Sequence, residues 1–199
     1  ALRQVNIKRA IAYSSISHSA YILLALKAGT NESIQAVVTY VVIYAFIVAG
    51  TFAILGVVAG VNEEDDSVDN VKGLAKTNPY LAGSLTLLLF AQAGMPLTSG
   101  FIAKFDVFRV AFQEQFYFTG MIVLVSTVIA GALYLKLVLS MYYGEDSLRQ
   151  DTLPGEPRHP EGEARRISLP TTVAIGICVI ITALVGFFPE LVTGFTHVI

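Results

Sequence analysis

Charge is what this sequence has little of. Only 14% of its 199 residues are charged, where a soluble domain carries about 25%. Its single cysteine, Cys178, stands inside an apolar run, which excludes a disulfide frame and a cysteine-built metal cluster. No glycine-rich nucleotide loop and no cysteine set for an iron–sulfur centre is present, so the chain is expected to bind no cofactor and no metal. A net charge of −2 gives no reason to expect nucleic acid as a partner. The absence of any soluble domain excludes a nucleotide-using enzyme. The chain opens on Ala1, with no signal peptide before its first apolar run. The expectation is the C-terminal part of a longer protein, or a processed or trimmed version of one.

What the sequence has is apolar length. It is 54% hydrophobic with a mean hydropathy of +0.65, and several runs reach the ~18 residues that a membrane helix needs. The predicted fold class is all-α, a polytopic helical membrane protein whose lipid bilayer is its first partner. Five transmembrane segments are expected, at about 10–28, 33–61, 79–113, 116–143 and 168–196, forming one helical domain over 1–199. The loops at about 62–78 and 144–167 read as exposed connections.

The third segment is the unusual one. Its roughly 35 residues would reach about 50 Å as one helix, against a hydrocarbon core of ~30 Å. Pro96 lies inside it, flanked by Gly94 and Gly100. Proline removes a backbone donor and its ring clashes with the carbonyl four residues back, here that of Gln92. A break is therefore predicted around Gly94–Gly100. Lipid cannot satisfy the freed backbone groups, so the break must face protein or a water-filled cavity. Lys104 follows four residues past Gly100. Ionisable residues beside broken helices line ion paths in transporters. The competing reading is a lysine that snorkels to the interface, near Asp106, Arg109 and Glu114.

The other segments carry fewer signals. The first is polar for a membrane helix, with Tyr13, Ser14, Ser15, Ser17, His18, Ser19 and Tyr21, and is expected to be buried among other helices. His18 reads either as a packed histidine bonded to a neighbour or as a proton relay, since its ordinary pKa of about 6.5 suits transfer near neutrality. Lys8 and Arg9 read as interface anchors. In the second segment Tyr40, Tyr44, Ala45, Ala49, Gly50, Thr51, Ala53 and Gly56 read as a packing face. The acidic run Glu63–Asp66 lacks the spacing of a calcium loop and reads as solvated. Lys136 in the fourth segment either snorkels or joins a polar path. Nine basic residues fall on one side (Arg3, Lys8, Arg9, Lys72, Lys76, Arg149, Arg158, Arg165, Arg166) and two on the other (Lys27, Arg109). The first side, with both long loops, is predicted to be cytoplasmic, and the C-terminus to face outward.

Two stretches resemble a known family. Asn6–Tyr21 resembles the segment that opens the C-terminal part of the antiporter-like subunits of respiratory complex I. Ala93–Phe105 resembles that family's broken twelfth helix. The pattern is nearest to the subunit N (subunit 2) branch of NADH–quinone oxidoreductase, because the second segment lacks the two histidines and the lysine of the sister subunits L and M. The likeness runs over nearly the whole chain. It implies helices ten to fourteen of a fourteen-helix protein in the bacterial plasma membrane, with other membrane subunits of complex I as partners. NADH, FMN, iron–sulfur clusters and quinone would sit in other subunits. The family lysine that ends an outward proton half-channel maps onto Lys104. His18 and Lys136 are the further relay candidates. The family's upstream glutamate and lysines lie outside this sequence, so the chain alone should not pump. Ala20 and Ala103 stand where the family commonly has glycine. A related reading is a subunit of a multisubunit sodium–proton antiporter, and a third is a structural scaffold with Lys104 at an interface.

Overall fold

The computed structural model describes residues 6–59, 71–151 and 168–190, with residues 144–151 by backbone alone. Among them there are seven helices and no strand: α1 (Ile7–Leu26), α2 (Asn31–Ala59), α3 (Leu74–Thr77), α4 (Pro79–Ala93), α5 (Ser99–Gln113), α6 (Tyr117–Asp151) and α7 (Leu169–Phe187). The five expected segments correspond to α1, α2, α4 with α5, α6 and α7. Three stretches are long and apolar enough to cross a membrane: Asn31–Val58, Tyr117–Tyr143 and Leu169–Phe187. α4 is apolar but shorter, and α1, with its serines and His18, does not reach that apolarity.

Local chemistry sets the helix ends. Asn6 caps α1 by accepting from the Arg9 backbone N–H at 2.9 Å. Gly29, at φ +67°, turns the chain toward α2. There Thr30 and Ser33 bond reciprocally, each side-chain oxygen accepting from the other's backbone N–H at 3.1 and 3.0 Å, as in a capping box. Pro79 opens α4, where its missing N–H costs nothing.

The predicted break is present and has a definite form. α4 ends at Gly94, in the left-handed region at φ +82°. The Met95 and Gly94 N–H groups donate to Phe90 and Ala91 carbonyls, both at 3.0 Å, which is the Schellman arrangement. Pro96 lies just beyond, where it prevents the helix from resuming. Leu97 takes φ +68°, rare for a branched side chain. α5 then starts at Ser99.

α2 is the central helix and touches α1, α4, α5 and α7. Its inward face is Tyr40, Ile43, Ile47, Gly50, Thr51 and Ile54, all buried. Ala45, Ala49 and Gly56 are exposed, which corrects the expected packing face. Tyr40, Gly50 and Thr51 of that face are buried, and Ile43, Ile47 and Ile54 fill the rest of the interface in place of the small residues. In α1 the buried stripe is Ile7, Ala10, Ile11, Ser14, His18, Tyr21, Leu24 and Ala25. Tyr13 and Ser19 are exposed, so within this chain only one face of α1 is covered.

A second correction concerns the later loop. Residues 144–151, read as the start of an exposed connection, continue α6 as helix to Asp151. The earlier connection also contains α3, after a left-handed Gly73. The acidic run Glu63–Asp66 and most of the basic residues at 149–166 lie outside the described residues.

Candidate functional site

Lys104 is buried, with 5% of its surface exposed. It sits in the second turn of α5, and its side chain runs back toward the break. Nζ donates to the Gln92 carbonyl at 2.7 Å and the Ala93 carbonyl at 3.0 Å. A helix end leaves its last carbonyls without intrahelical partners. The break in α4 thus frees two oxygens, and Lys104 takes them. The C-terminal end of α4 also carries partial negative charge, which suits an ammonium. The ring of Tyr21 lies 5.3 Å from Nζ, within cation–π range. Asp106 and Arg109 approach each other at 3.9 Å instead, so Lys104 turns inward rather than toward its charged neighbours.

Glycines make room for this arrangement. A Cβ on Gly94 would come within 2.8 Å of Lys104 Cδ, and one on Gly100 within 1.8 Å of the Ala91 carbonyl oxygen. Gly94→Ala is expected to cost about 1–2 kcal/mol from its left-handed backbone alone, and to push Lys104 off its carbonyls. Gly83→Ala, with nothing within 4 Å, is the control, and thermal unfolding of the pair measures the difference.

His18 is buried in α1 at 4% exposure. Nδ1 lies 2.8 Å from the Tyr40 hydroxyl and Nε2 lies 3.2 Å from that of Tyr134. The ring stacks on Tyr44, with centroids 4.3 Å apart. The hydrogen positions follow by elimination. Ser14 donates its one hydrogen to the Ile11 carbonyl at 2.7 Å, so Tyr134 donates to Ser14 Oγ at 2.8 Å. Tyr134 then has only lone pairs left for His18, and Nε2 must carry a hydrogen. A neutral His18 accepts from Tyr40 at Nδ1. The chain runs Tyr40 to His18 to Tyr134 to Ser14, all in one donor direction. Tyr134→Phe would strand the Nε2 hydrogen and is expected to destabilise by about 1–3 kcal/mol, read as a fall in unfolding temperature.

His18 and Lys104 face one small void of about 10 Å³, which Tyr40, Tyr44, Ala91 and Ala103 also line. That is room for roughly one water. Tyr21 packs beside this cluster: it stacks on Tyr40 at 5.5 Å and bonds to the Thr127 hydroxyl.

Of the sequence candidates, Lys104, His18, Gly94 and Gly100 meet here, with Pro96 in the exposed loop beside them. Lys136 does not. It lies on the exposed face of α6, two residues and so about 200° from Tyr134. The residues missed are Tyr21, Tyr40, Tyr44 and Tyr134. By sequence the two tyrosines of the second segment read as packing residues alone. Their spacing of four, on the same helix face, was the available signal.

Residues 1–130 match the family described as NADH:quinone oxidoreductase/Mrp antiporter, transmembrane. NADH-quinone oxidoreductase subunit N of Pelagibacter ubique is 38% identical over 152 residues, 76% of this chain and 32% of that protein. Subunit N of Mycobacterium tuberculosis is 32% identical over 197 residues, 96% of this chain and 34% of its own length. A chain of respiratory complex I from Thermus thermophilus, solved with bound aureothin, superposes with a TM-score of 0.73 at 25% identity, over 96% of this chain and 40% of that one. A chain of an archaeal respiratory membrane complex, the membrane-bound sulfane sulfur reductase, gives a TM-score of 0.79 at 26% identity, over 98% and 38%. The chain spans about a third of the length of the curated relatives it matches. With the family matched over 1–130 and relatives at this identity, the chain belongs to the NADH:quinone oxidoreductase/Mrp antiporter family of transmembrane proteins.

Proposed function

We propose that this chain is the C-terminal part of a proton-translocating membrane subunit of NADH–quinone oxidoreductase, and that Lys104 carries the proton outward. The observation that supports this most is the buried Lys104 ammonium resting on the two carbonyls that the helix break sets free. A charge in a dry site is strongly disfavoured unless it is paired. Among the described residues the partners are neutral oxygens and a ring, with no counter-ion that would lock the ammonium. A change in hydration or in a neighbouring charge can then tip it between holding and releasing its proton. His18, across the one-water void, is the relay on the entry side once the Tyr40 hydroxyl turns off Nδ1 and frees that nitrogen for the water. Release breaks an N–H bond, the nitrogen keeps the electron pair and water on the outward side takes the proton; reloading returns a proton from the His18 side through the one-water void. Quinone reduction elsewhere in the complex supplies the energy, with NADH, FMN, iron–sulfur clusters and quinone in other subunits.

Five membrane passes fit this reading, with α4 and α5 sharing one. The excess of basic residues supports a bacterial cytoplasmic side for the loop ends of α2, α4, α6 and α7 and an outward C-terminus. Lys136, exposed on α6, then faces lipid or a neighbouring subunit and has no relay role.

The test is Lys104→Met in the full-length protein within its assembled complex, in sealed vesicles. The reading expects proton ejection to fall by ~100-fold, on the scale of losing a positioned acid–base group. The sodium–proton antiporter reading shares the family and is separated by the same vesicles. Ejection driven by NADH without sodium supports the respiratory complex, and strict exchange against sodium supports the antiporter.

A further inference from the structure

The hydrogen bonds on one side of His18 run in a single direction and end on backbone. Ser14 and His18 stand one turn apart on α1, and Tyr134 reaches both from α6. Tyr134 gives its hydrogen to Ser14 Oγ at 2.8 Å, and Ser14 gives its own to the Ile11 carbonyl at 2.7 Å. That carbonyl also accepts from Ser15 Oγ at 3.3 Å. A carbonyl oxygen accepts but has no hydrogen to pass on. A proton leaving Nε2 would have to move along Tyr134 and Ser14 to this carbonyl, where the chain stops. Ser14 and Tyr134 are 1% and 0% exposed, so bulk water does not extend it.

Nδ1 has the opposite surroundings. Its partner is the Tyr40 hydroxyl at 2.8 Å. Tyr40 lines the void of about 10 Å³ that His18 shares with Lys104, and Tyr134 is not among the walls of that void. Turning one hydroxyl off Nδ1 therefore opens this nitrogen to water. Turning the ring over would exchange the two nitrogens. Tyr44 opposes that, stacked on the imidazole with centroids 4.3 Å apart and planes 18° apart. The two nitrogens thus have unequal roles, one held and one able to exchange.

We propose that Ser14 and Tyr134 are positioning residues that hold the hydrogen on Nε2, so that His18 loads and unloads its proton through Nδ1 alone. The inference rests on the reading of His18 as the entry-side relay. On loading, an O–H bond of protonated water in the void breaks and its electron pair stays on oxygen. The Nδ1 lone pair forms the new N–H bond. The cation carries hydrogen on both nitrogens, and Tyr134 still accepts from Nε2. On unloading, the Nδ1–H bond breaks, the nitrogen keeps the pair and void water takes the proton on the Lys104 side. His18 returns to the same tautomer without turning its ring.

Ser14→Ala in the assembled complex is the test. Without Ser14 Oγ the Tyr134 hydroxyl loses its acceptor. A buried hydroxyl left unbonded is costly, so its hydrogen turns to Nε2. His18 must then carry its own hydrogen on Nδ1, which blocks loading. Alanine is small and favours helix, so assembly should hold. Solid-state NMR with isotope-labelled histidine reads which nitrogen bears hydrogen, with the His18 signal isolated by difference from a His18→Gln complex. The unmodified complex should show Nε2–H. Ser14→Ala should show Nδ1–H, with proton ejection slowed about tenfold, the scale of one hydrogen bond. Ser14→Thr should restore both. Nδ1–H in the unmodified complex overturns the inference, even where a variant fails to assemble. A tautomer unmoved by Ser14→Ala overturns it, and so does a moved tautomer with normal ejection. If His18→Gln ejects protons normally, the relay reading itself fails and this role falls with it.

Discussion

Gly100→Val is expected to prevent the folded protein from accumulating. The close approach of α5 to α4 leaves no space at this position: even a single Cβ would sit 1.8 Å from the Ala91 carbonyl oxygen. That contact is backbone, so no side chain can swing away. Relief requires moving α4 and α5 apart, which pulls Lys104 Nζ off the Gln92 and Ala93 carbonyls. Ordinary overpacking of a core costs ~1–3 kcal/mol, and this case should exceed that range. The check is the amount of assembled complex on native gels, with the unfolding temperature of whatever assembles. A Gly100→Val complex at normal level and unchanged stability would contradict the geometry of the break.

The second large effect is Lys104→Arg. Arginine keeps the positive charge and can reach the same carbonyls, so assembly should survive. Its guanidinium does not release a proton near neutrality. The site would then be occupied by a fixed charge. Proton ejection is expected to fall as far as in Lys104→Met, by ~100-fold if loss of a general acid–base group sets the scale. An arginine variant that pumps normally would show that Lys104 works by charge alone.

The break was legible in the sequence because proline and glycine act locally. Pro96 forbids a continuous helix and Gly94 supplies the left-handed residue that ends α4. The depth and direction of Lys104 were not legible. A lysine tail can snorkel or turn back, and the choice depends on α4 carbonyls eleven and twelve residues away in sequence. The partners of His18 were hidden for the same reason: Tyr40 and Tyr134 lie 22 and 116 residues along the chain. A tyrosine's ring fits a packing face while its hydroxyl joins a network, so sequence position does not separate the two roles. Lys136 shows the converse. Its place in an apolar helix fits both a snorkelling tail and a polar path, and the turn angle from Tyr134 carries it to the outer face. The order of hydrogen bonds around His18 depends on partners that only the fold brings together.

The most direct measurement is proton ejection per NADH oxidised in sealed vesicles, for the unmodified complex, Lys104→Met and Lys104→Arg at equal assembly. The account predicts that both variants lose ejection, with NADH oxidation suppressed alongside it because the two are coupled. Full pumping and full oxidation in both assembled variants would contradict it and leave Lys104 as a structural strut of the break.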